Sequence, residues 1–395
     1  VECEVLIVGA GITGLTLARE LLARGVDNIM IVEKESGAGR HASGRNSGVL
    51  HAGVYYSPGT LKARFCVEGN RLMKEYCRSK GLRLLECGKV IVARNYPESI
   101  LIEELKKRAD SSGAEAKIID SKELKEIEPY AQTFDKALLS PNTAVIDPKE
   151  IVESLRQDLE SSRKVRIAFG TRFEGLRQTS TAVTSSGNIK FRLFINAGGA
   201  YADRVAHSFG VGLNYKIIPF KGLYKRLVKD RTWLVAGNIY PVPDLRYPFL
   251  GVHFTKGVDG DVYVGPTAIP ALGRENYSLA EDLTIESLSI LFRDGVLMLT
   301  DPSFRVSAIR EIERYVPRVF YEEARTLVPC LKPEDLEPTD KVGIRAQLVD
   351  WDIKRLVMDF LVIRDGDSLH ILNAVSPAFT CSMAFATYAA SLLLD

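Results

Sequence analysis

Several features that would announce a particular chemistry are missing from this chain. Its six cysteines (Cys3, Cys66, Cys77, Cys87, Cys330 and Cys381) form no C-x-x-C pair and no zinc-like spacing. That argues against a redox dithiol or a structural zinc, and for the reduced, mostly buried thiols of a cytoplasmic protein. The five histidines show no ligand spacing either, so no metal is expected. The longest apolar runs, such as residues 296–299 and 392–394, fall far short of the ~18 residues that cross a bilayer, and no membrane span is expected. The N-terminus runs straight into a strand, which gives no expectation of a signal peptide. Charge of one sign is nowhere concentrated. The net charge of +2 arises from 52 basic and 50 acidic residues that are interspersed, with no basic–aromatic patch, which argues against nucleic acid. Internal repeats and low-complexity tracts are absent.

What is present organises the chain from its start. At 395 residues, with 46% apolar and 26% charged, the composition is that of a globular protein. The length is that of two domains, since one core stops growing near about 250–300 residues. Residues 5–8 (Val-Leu-Ile-Val) read as a strand, 12–23 as a helix and 29–32 (Ile-Met-Ile-Val) as a second strand. Between the first two lies Gly9-Ala10-Gly11-Ile12-Thr13-Gly14. In that spacing Gly9 permits the tight turn, Gly11 lets a pyrophosphate approach the backbone, and Gly14 lets the helix close on the strand. The helix N-terminus adds free N–H groups and partial positive charge. Glu33 follows Gly14 by about 20 residues, where an acid binds a ribose hydroxyl and disfavours a 2′-phosphate. An adenine dinucleotide other than NADP is therefore expected, rather than an empty glycine turn.

A long connection follows, residues 36–53, rich in Gly, Ser, Asn and Arg. Loops of that length inside a domain are usually functional. Lys34, Arg40, Ser43, Arg45, Asn46 and Ser47 offer hydrogen bonds to phosphate and ribitol, and Gly48 allows close approach; a mobile surface loop is the alternative. Residues 59–80 read as a helix with Leu61, Phe65, Leu72 and Tyr76 inward and Lys62, Arg64, Lys74 and Arg78 solvated. A strand broken by Gly88 is expected over 84–94, then a helix over 98–112 with Ile100, Leu101 and Leu105 inward, then a short helix capped by Ser121. Asp147-Pro148 starts a helix running to about Ser161.

Short strands at 165–168, 172–176, 182–184 and 191–195 lead to Asn196-Ala197-Gly198-Gly199-Ala200. This second strand–glycine–helix junction suggests a return to the nucleotide sheet, with Ala197, Gly198 and Gly199 close to a ligand. From 216 to 265 the pattern becomes antiparallel, with strands at 217–219, 223–228, 247–254 and 261–264. Helices return at 283–292 and 301–327, the latter broken near Pro317. Strands at 360–364 and 369–372 precede a final helix with Ser376 as its cap and Pro377 at its first position.

Taken together these motifs resemble the D-amino-acid-oxidase superfamily of FAD flavoproteins. The resemblance rests on the N-terminal fingerprint, on Ser-Gly-Arg-Asn-Ser-Gly-Val-Leu-His-Ala-Gly-Val-Tyr-Tyr-Ser-Pro-Gly-Thr-Leu-Lys-Ala at 43–63, and on Ile-Asn-Ala-Gly-Gly-Ala-Tyr-Ala-Asp at 195–203. Within that superfamily the chain is most similar to L-2-hydroxyglutarate dehydrogenases and oxidases. The segments carrying this are the one around His51, 240–255, Gly-Ile-Arg-Ala-Gln at 343–347, and His-Ile-Leu-Asn-Ala-Val-Ser-Pro at 370–377. Residues 270–340 carry little that matches, and 378–381 are bulkier than the family's pattern, which leaves substrate size and oxygen access open.

The resemblance implies an α/β chain, α+β overall. A Rossmann-like FAD-binding domain (1–83, 146–215 and 340–395) is interrupted by a substrate-binding domain on a mixed or antiparallel sheet (84–145 and 216–339). It implies oxidation of L-2-hydroxyglutarate, or a close 2-hydroxy acid, to the 2-oxo acid by hydride transfer to flavin N5. The alternatives are an amine or amino-acid oxidase of the glycine/sarcosine type, a glycerol 3-phosphate dehydrogenase, or a flavin-binding protein without turnover.

Such a reaction needs a base, a carboxylate anchor and orientation, since the cofactor carries the redox step. His51 is the expected base, with a structural hydrogen bond or a covalent flavin link as its other readings. Arg345 resembles the arginine that clamps the substrate carboxylate, for which a planar fork is suited. His253 and Lys62 are candidates for a second anchor, and Tyr55 and Tyr263 for added hydroxyl donors. Ser376, Pro377, Ala378, Phe379 and Thr380 sit where the superfamily points a helix N-terminus at the flavin, which would stabilise reduced flavin by about 1 kcal/mol or more. The electron acceptor stays open among oxygen, a quinone and an electron-transfer protein. The expected location is cytoplasmic, with peripheral membrane association if the acceptor is a quinone.

Overall fold

The computed structural model describes residues 1–245, 250–278, 281 and 283–395. Its first sheet grows from the apolar runs at the start. The strand Glu2–Val8, in which Val5, Leu6 and Ile7 are fully buried, pairs in parallel with Ile29–Val32 on one side and Gly187–Asn196 on the other. Val165–Ala168 extends the sheet beyond the second strand, and Ser368–Ile371 extends it beyond Asn196. Parallel strands are covered on both faces, which is why they read as unbroken apolar runs. The helices Ile12–Ala23, Pro148–Ser161 and Ala378–Leu394 share one core with them. The carboxyl ends of three neighbouring strands thus set Gly9, Glu33 and Ala197 side by side, the place where open α/β sheets hold ligands.

The second sheet has ten strands and mixed directions. Its spine is Tyr215–Leu227 against Leu336–Asp350, antiparallel along nearly their full lengths. Val262–Gly265, His253–Lys256, Asn238–Pro241 and Lys89–Val92 continue it, the last pair running parallel at Ile239↔Val90. A small third sheet of Val49–Leu50, Ala144–Ile146 and Leu84–Leu85 fixes the segment before His51.

Several expectations need correction. The strands at 217–219 and 223–228 are one, because Lys221 and Gly222 keep the ladder at Lys221↔Ile344 and Gly222↔Gly343. Leu336–Asp350 lies wholly in the second sheet, so the return to the first comes after 350 rather than at 340. Of the strand expected at 247–254, Tyr247 to Phe249 lie outside the described residues, and the described part begins a strand at His253. Asp120, not Ser121, caps the short helix, accepting from Lys122 and Glu123 N–H in a capping box. The helix Tyr96–Ser112 starts earlier than expected, and Ile102 rather than Ile100 faces inward. Lys62 and Lys74 are buried rather than solvated. Their helix, Leu61–Lys80, is covered by the terminal helix, so closely that a methyl on Gly69 would lie 2.3 Å from the Thr380 carbonyl oxygen. Lys74 is then matched by Glu86 at 3.1 Å. All six cysteines are unpaired, four of them buried. Among the described residues no helix is long and apolar enough to cross a membrane.

Candidate active site

The glycine turn is shaped by close approaches at two of its three glycines. Gly9 sits at φ +105°, where a methyl would lie 2.5 Å from the Ala197 carbonyl oxygen; a methyl on Gly14 would lie 2.0 Å from that of Gly9. Gly11, at an ordinary φ of −80°, is the N-cap of the helix and carries no capping side chain of its own. The Ile12 N–H donates instead to Ser43 Oγ at 2.9 Å, so the 36–53 loop supplies an oxygen at the helix N-terminus where a phosphate oxygen is favoured. Glu33 accepts from the N–H groups of Ala10 at 2.8 Å and Glu35 at 3.0 Å, which fixes its carboxylate at the strand end beside the turn. Each oxygen keeps a lone pair for a ribose hydroxyl. A helix start with open N–H groups, a glycine turn and a fixed acid fit an adenine dinucleotide. We expect Gly11→Val to leave the apoprotein's melting temperature within about 3 °C of the parent, because its backbone conformation suits any residue. The purified protein should lose most of its bound flavin, read as the 450 nm absorbance per chain.

The rest of the loop is held by its own side chains. Asn46 donates to the carbonyls of Ala42 and Ser43 and accepts from Gly48 N–H, and Ser47 Oγ accepts from Val49 N–H. Gly48, at φ +79°, lies against the Ile146 carbonyl. Arg45 donates to the Arg40 carbonyl and lies 4.1 Å from the Tyr277 ring centre, while Arg40 is exposed. Lys34 is bonded to Glu35, to Glu275 at 2.5 Å and to His41 Nε2 at 3.0 Å. Glu35, His41 and Glu275 cluster as metal ligands might, but this ammonium already takes the cation's place among them. The network ties the 36–53 loop to residues 275–277, a contact nothing in the local sequence signals.

At the other end, His51 follows the short strand Val49–Leu50 and is buried. Its N–H donates to Thr380 Oγ1 at 3.1 Å, and its carbonyl accepts from Asn70 Nδ2 at 3.1 Å. The backbone is therefore pinned from the terminal helix and from Leu61–Lys80, leaving the imidazole to be aimed. Its Nδ1 is buried without a hydrogen-bond partner. Burial first, then the positive fields of Lys89, His253 and Arg345, hold it well below the usual histidine range, so it is neutral at neutral pH. Arg345 is partly buried and lies opposite Phe220 in the sheet. Burial lowers its pKa, opposed by Tyr56, Tyr224 and Glu311, but a guanidinium stays protonated.

Tyr55 is buried with its hydroxyl unpaired. Lys62 is buried and pulled down to about 8, chiefly by desolvation and then by Arg345, while Asp359 pulls the other way. His253 stacks on Tyr240 at 3.8 Å, and its Nδ1 contacts the Gly251 carbonyl at 2.8 Å. A carbonyl only accepts, so Nδ1 carries the proton; burial keeps the ring neutral, pulling it down to about 3. His253 Nε2 is then an acceptor and cannot donate to a carboxylate. Tyr263 stands with Lys341, whose ammonium is 3.9 Å from its ring centre, and packs edge-on against Tyr224.

Sequence reasoning missed Lys89, which is 1% exposed between the Tyr55 and Tyr240 rings. It opens the otherwise apolar stretch Lys89-Val90-Ile91-Val92, as a solvated lysine at a strand end also would. On the terminal helix, the cap position falls on Pro377 and no side chain caps it. Ser376 lies one residue too early; the Ala378 N–H donates to the Val375 carbonyl at 2.9 Å, and no side chain caps the rest of the first turn, at Phe379 and Thr380. Thr380 spends its hydroxyl on His51 and Val49.

A nucleotide cradle on the first sheet, with a buried imidazole in the field of a guanidinium carried by the second, fits an FAD-dependent oxidoreductase. The chain belongs to that family: the family model "DAO: FAD dependent oxidoreductase" matches residues 4–392. It is 36% identical over 411 residues to the mitochondrial L-2-hydroxyglutarate dehydrogenase of Nematostella vectensis, spanning 97% of this chain and 88% of that protein. It is 33% identical over 402 residues to the mitochondrial human L-2-hydroxyglutarate dehydrogenase, with 96% and 86% covered. To the L-2-hydroxyglutarate dehydrogenase of Escherichia coli strain UMN026 it is 34% identical over 394 residues, with 98% and 92% covered. Among solved structures, dithionite-reduced L-α-glycerophosphate oxidase from Mycoplasma pneumoniae with FAD bound shares the fold at a TM-score of 0.78 and 22% identity, covering 100% of this chain and 95% of that one. Glycine oxidase from Bacillus cereus does so at 0.67 and 19%, covering 99% and 94%.

Proposed function

We propose that this protein oxidises L-2-hydroxyglutarate, or a close 2-hydroxy acid, to the 2-oxo acid with FAD as the oxidant. The observation that carries the reading is the unpaired, buried Nδ1 of a neutral His51 in the field of Arg345 and Lys89. The three dehydrogenases named above support it. Gly9, Gly11, Ile12, Thr13, Gly14, Glu33 and Ser43 would hold the adenosine and pyrophosphate, with Arg40, Arg45, Asn46, Ser47, Gly48, Ala197, Gly198 and Gly199 shaping the rest of the groove. The helix start at Phe379 and Thr380, which no side chain caps, would face the flavin's developing negative charge. When bound, FAD supplies the two-electron acceptor for the hydride from C2.

This chain's residues do the rest. The Arg345 guanidinium takes the C1 carboxylate through two parallel hydrogen bonds. That anchor turns the C2 hydroxyl toward His51, which accepts its proton as the C2–H pair departs and the C=O bond forms. We propose the corresponding division of labour between the sheets: the first binds cofactor, and the second, with residues 84–145 and 216–350, binds substrate.

The pH dependence has a definite sign. His51 must be neutral to act, and its pKa in the free protein is depressed. His51 should therefore cause no decline in kcat/KM as pH falls to about 6.5, and a decline only below that, through a limb that His51→Gln abolishes.

The test is anaerobic mixing of the yellow holoenzyme with L-2-hydroxyglutarate, glycine, sarcosine and glycerol 3-phosphate, followed at 450 nm. Bleaching by the first alone supports the reading; bleaching by glycine, sarcosine or glycerol 3-phosphate in preference overturns it. Reoxidation of the bleached protein by air, by a soluble quinone or by an electron-transfer flavoprotein then identifies the acceptor.

A further inference from the structure

We propose that Lys89 is the anchor for a second carboxylate, which makes the pocket selective for dicarboxylic 2-hydroxy acids over monocarboxylic ones. The assignment rests on the 2-hydroxy-acid reading above and names a residue for its far end. Lys89 opens the strand Lys89–Val92, next to Asn238–Pro241 in the second sheet. Its ammonium lies 4.2 Å from the Tyr55 ring centre and 5.0 Å from that of Tyr240. Among the described residues no hydrogen-bond partner reaches Nζ, although the side chain is 1% exposed.

Three other buried cations have anionic or carbonyl partners. Lys74 meets Glu86, Lys221 donates to the Ser278 carbonyl at 2.9 Å, and Arg274 is bonded to Asp203 and Glu286. An ammonium held only between two aromatic faces gains cation–π attraction but none of its three hydrogen bonds. Such an arrangement costs stability, and it persists where function needs it.

His51 Nδ1 and Tyr55 OH are also buried without partners among the described residues, as is Asn238 Oδ1 on the neighbouring strand, and the field of Lys89 is felt at both His51 and His253. The groups facing Lys89 from the surrounding elements are His51, Tyr55, Tyr240, His253 and Cys66. None is an acid, and burial draws the ammonium down to about 7. A dianion with one carboxylate on Arg345 and the other on Lys89 gives Lys89 the anion it lacks and leaves its hydroxyl between the two for His51. A monocarboxylate leaves Lys89 as it stands.

His253 and Lys62 fit the task less well. The histidine presents an acceptor, and Lys62 already feels the negative field of Asp359, whereas no acid acts on Lys89. The ionisation of Lys89 adds a signature: as pH rises through about 7 the free holoenzyme loses the charge that draws the second carboxylate, so dicarboxylate affinity falls while monocarboxylate affinity does not.

The experiment is titration of the holoenzyme with glutarate and with butyrate, non-reacting ligands read by the flavin difference spectrum. It is done for the parent, Lys89→Met and Lys89→Gln, beside anaerobic bleaching by L-2-hydroxyglutarate and by L-2-hydroxybutyrate. We expect the parent to prefer glutarate strongly and both variants to lower the glutarate-to-butyrate preference by about 100-fold. The bleaching preference should shrink likewise. The melting temperature of Lys89→Met should rise, since an unpaired buried charge is removed at nearly constant volume. Equal losses for both ligands, an unchanged preference, or a lower melting temperature in both variants would overturn the assignment. If L-2-hydroxyglutarate fails to bleach the parent while glutarate still binds through Lys89, the reaction is wrong and the dicarboxylate subsite stands.

Discussion

His51→Gln should purify as yellow as the parent and reduce its flavin about 1,000-fold more slowly with saturating L-2-hydroxyglutarate, the scale of one lost general base. The reason to expect colour without chemistry lies in how the residue is held. Its N–H is fixed by Thr380 and its carbonyl by Asn70, so the substitution reaches only the side chain. Nothing in the nucleotide cradle from Gly9 to Glu33 is touched. The neutral imidazole has its Nδ1 unpaired, and glutamine in its place offers no nitrogen of comparable basicity. Single-turnover mixing in the absence of oxygen measures the step directly. An unchanged rate would remove His51 as the base and leave it the structural role.

Arg345→Lys should weaken substrate binding by about 100-fold, close to 3 kcal/mol, because a single ammonium replaces two parallel charge-assisted bonds. The limiting rate of flavin reduction should move far less than the apparent dissociation constant, since the base is left in place. A second effect goes with it. Arg345 is one of the charges that depress His51, and a shorter cation set further back depresses it less. The acid limb of the reduction rate should therefore move to higher pH in the variant. A surface ion pair would show neither the hundredfold loss nor the shifted limb, and an unaltered dissociation constant would contradict the carboxylate role.

The parts of this molecule legible in its sequence are those set by neighbouring residues. Residues 2–33 were readable because the turn's requirements are local. Only glycine tolerates φ +105° at position 9 with a carbonyl 2.5 Å from where its methyl would be, and the flanking periods of two and 3.6 are contiguous. Asp147-Pro148 marked its helix for the same reason. Lys62 and Lys74 were misread because helical periodicity assigns one buried face, whereas the terminal helix covers this helix from a second direction. Ser376 obeys the capping preference for residue type but stands one position too early, since the chain turns at Pro377. Lys89 is the clearest case. Its environment is built by Tyr55 and Tyr240 from distant parts of the chain, and nothing within ten residues tells a buried ammonium from a solvated one at a strand end. The link from Lys34 to Glu275 is hidden in the same way.

The most direct measurement is an anaerobic titration of the holoenzyme with L-2-hydroxyglutarate and with its D enantiomer, counting 2-oxoglutarate against flavin reduced. A pocket with His51 and Arg345 placed for one hand of the alcohol should give one 2-oxoglutarate per flavin from the L form and none in the same time from the D form. Flavin left oxidised by the L form, or bleached equally by both, would contradict it.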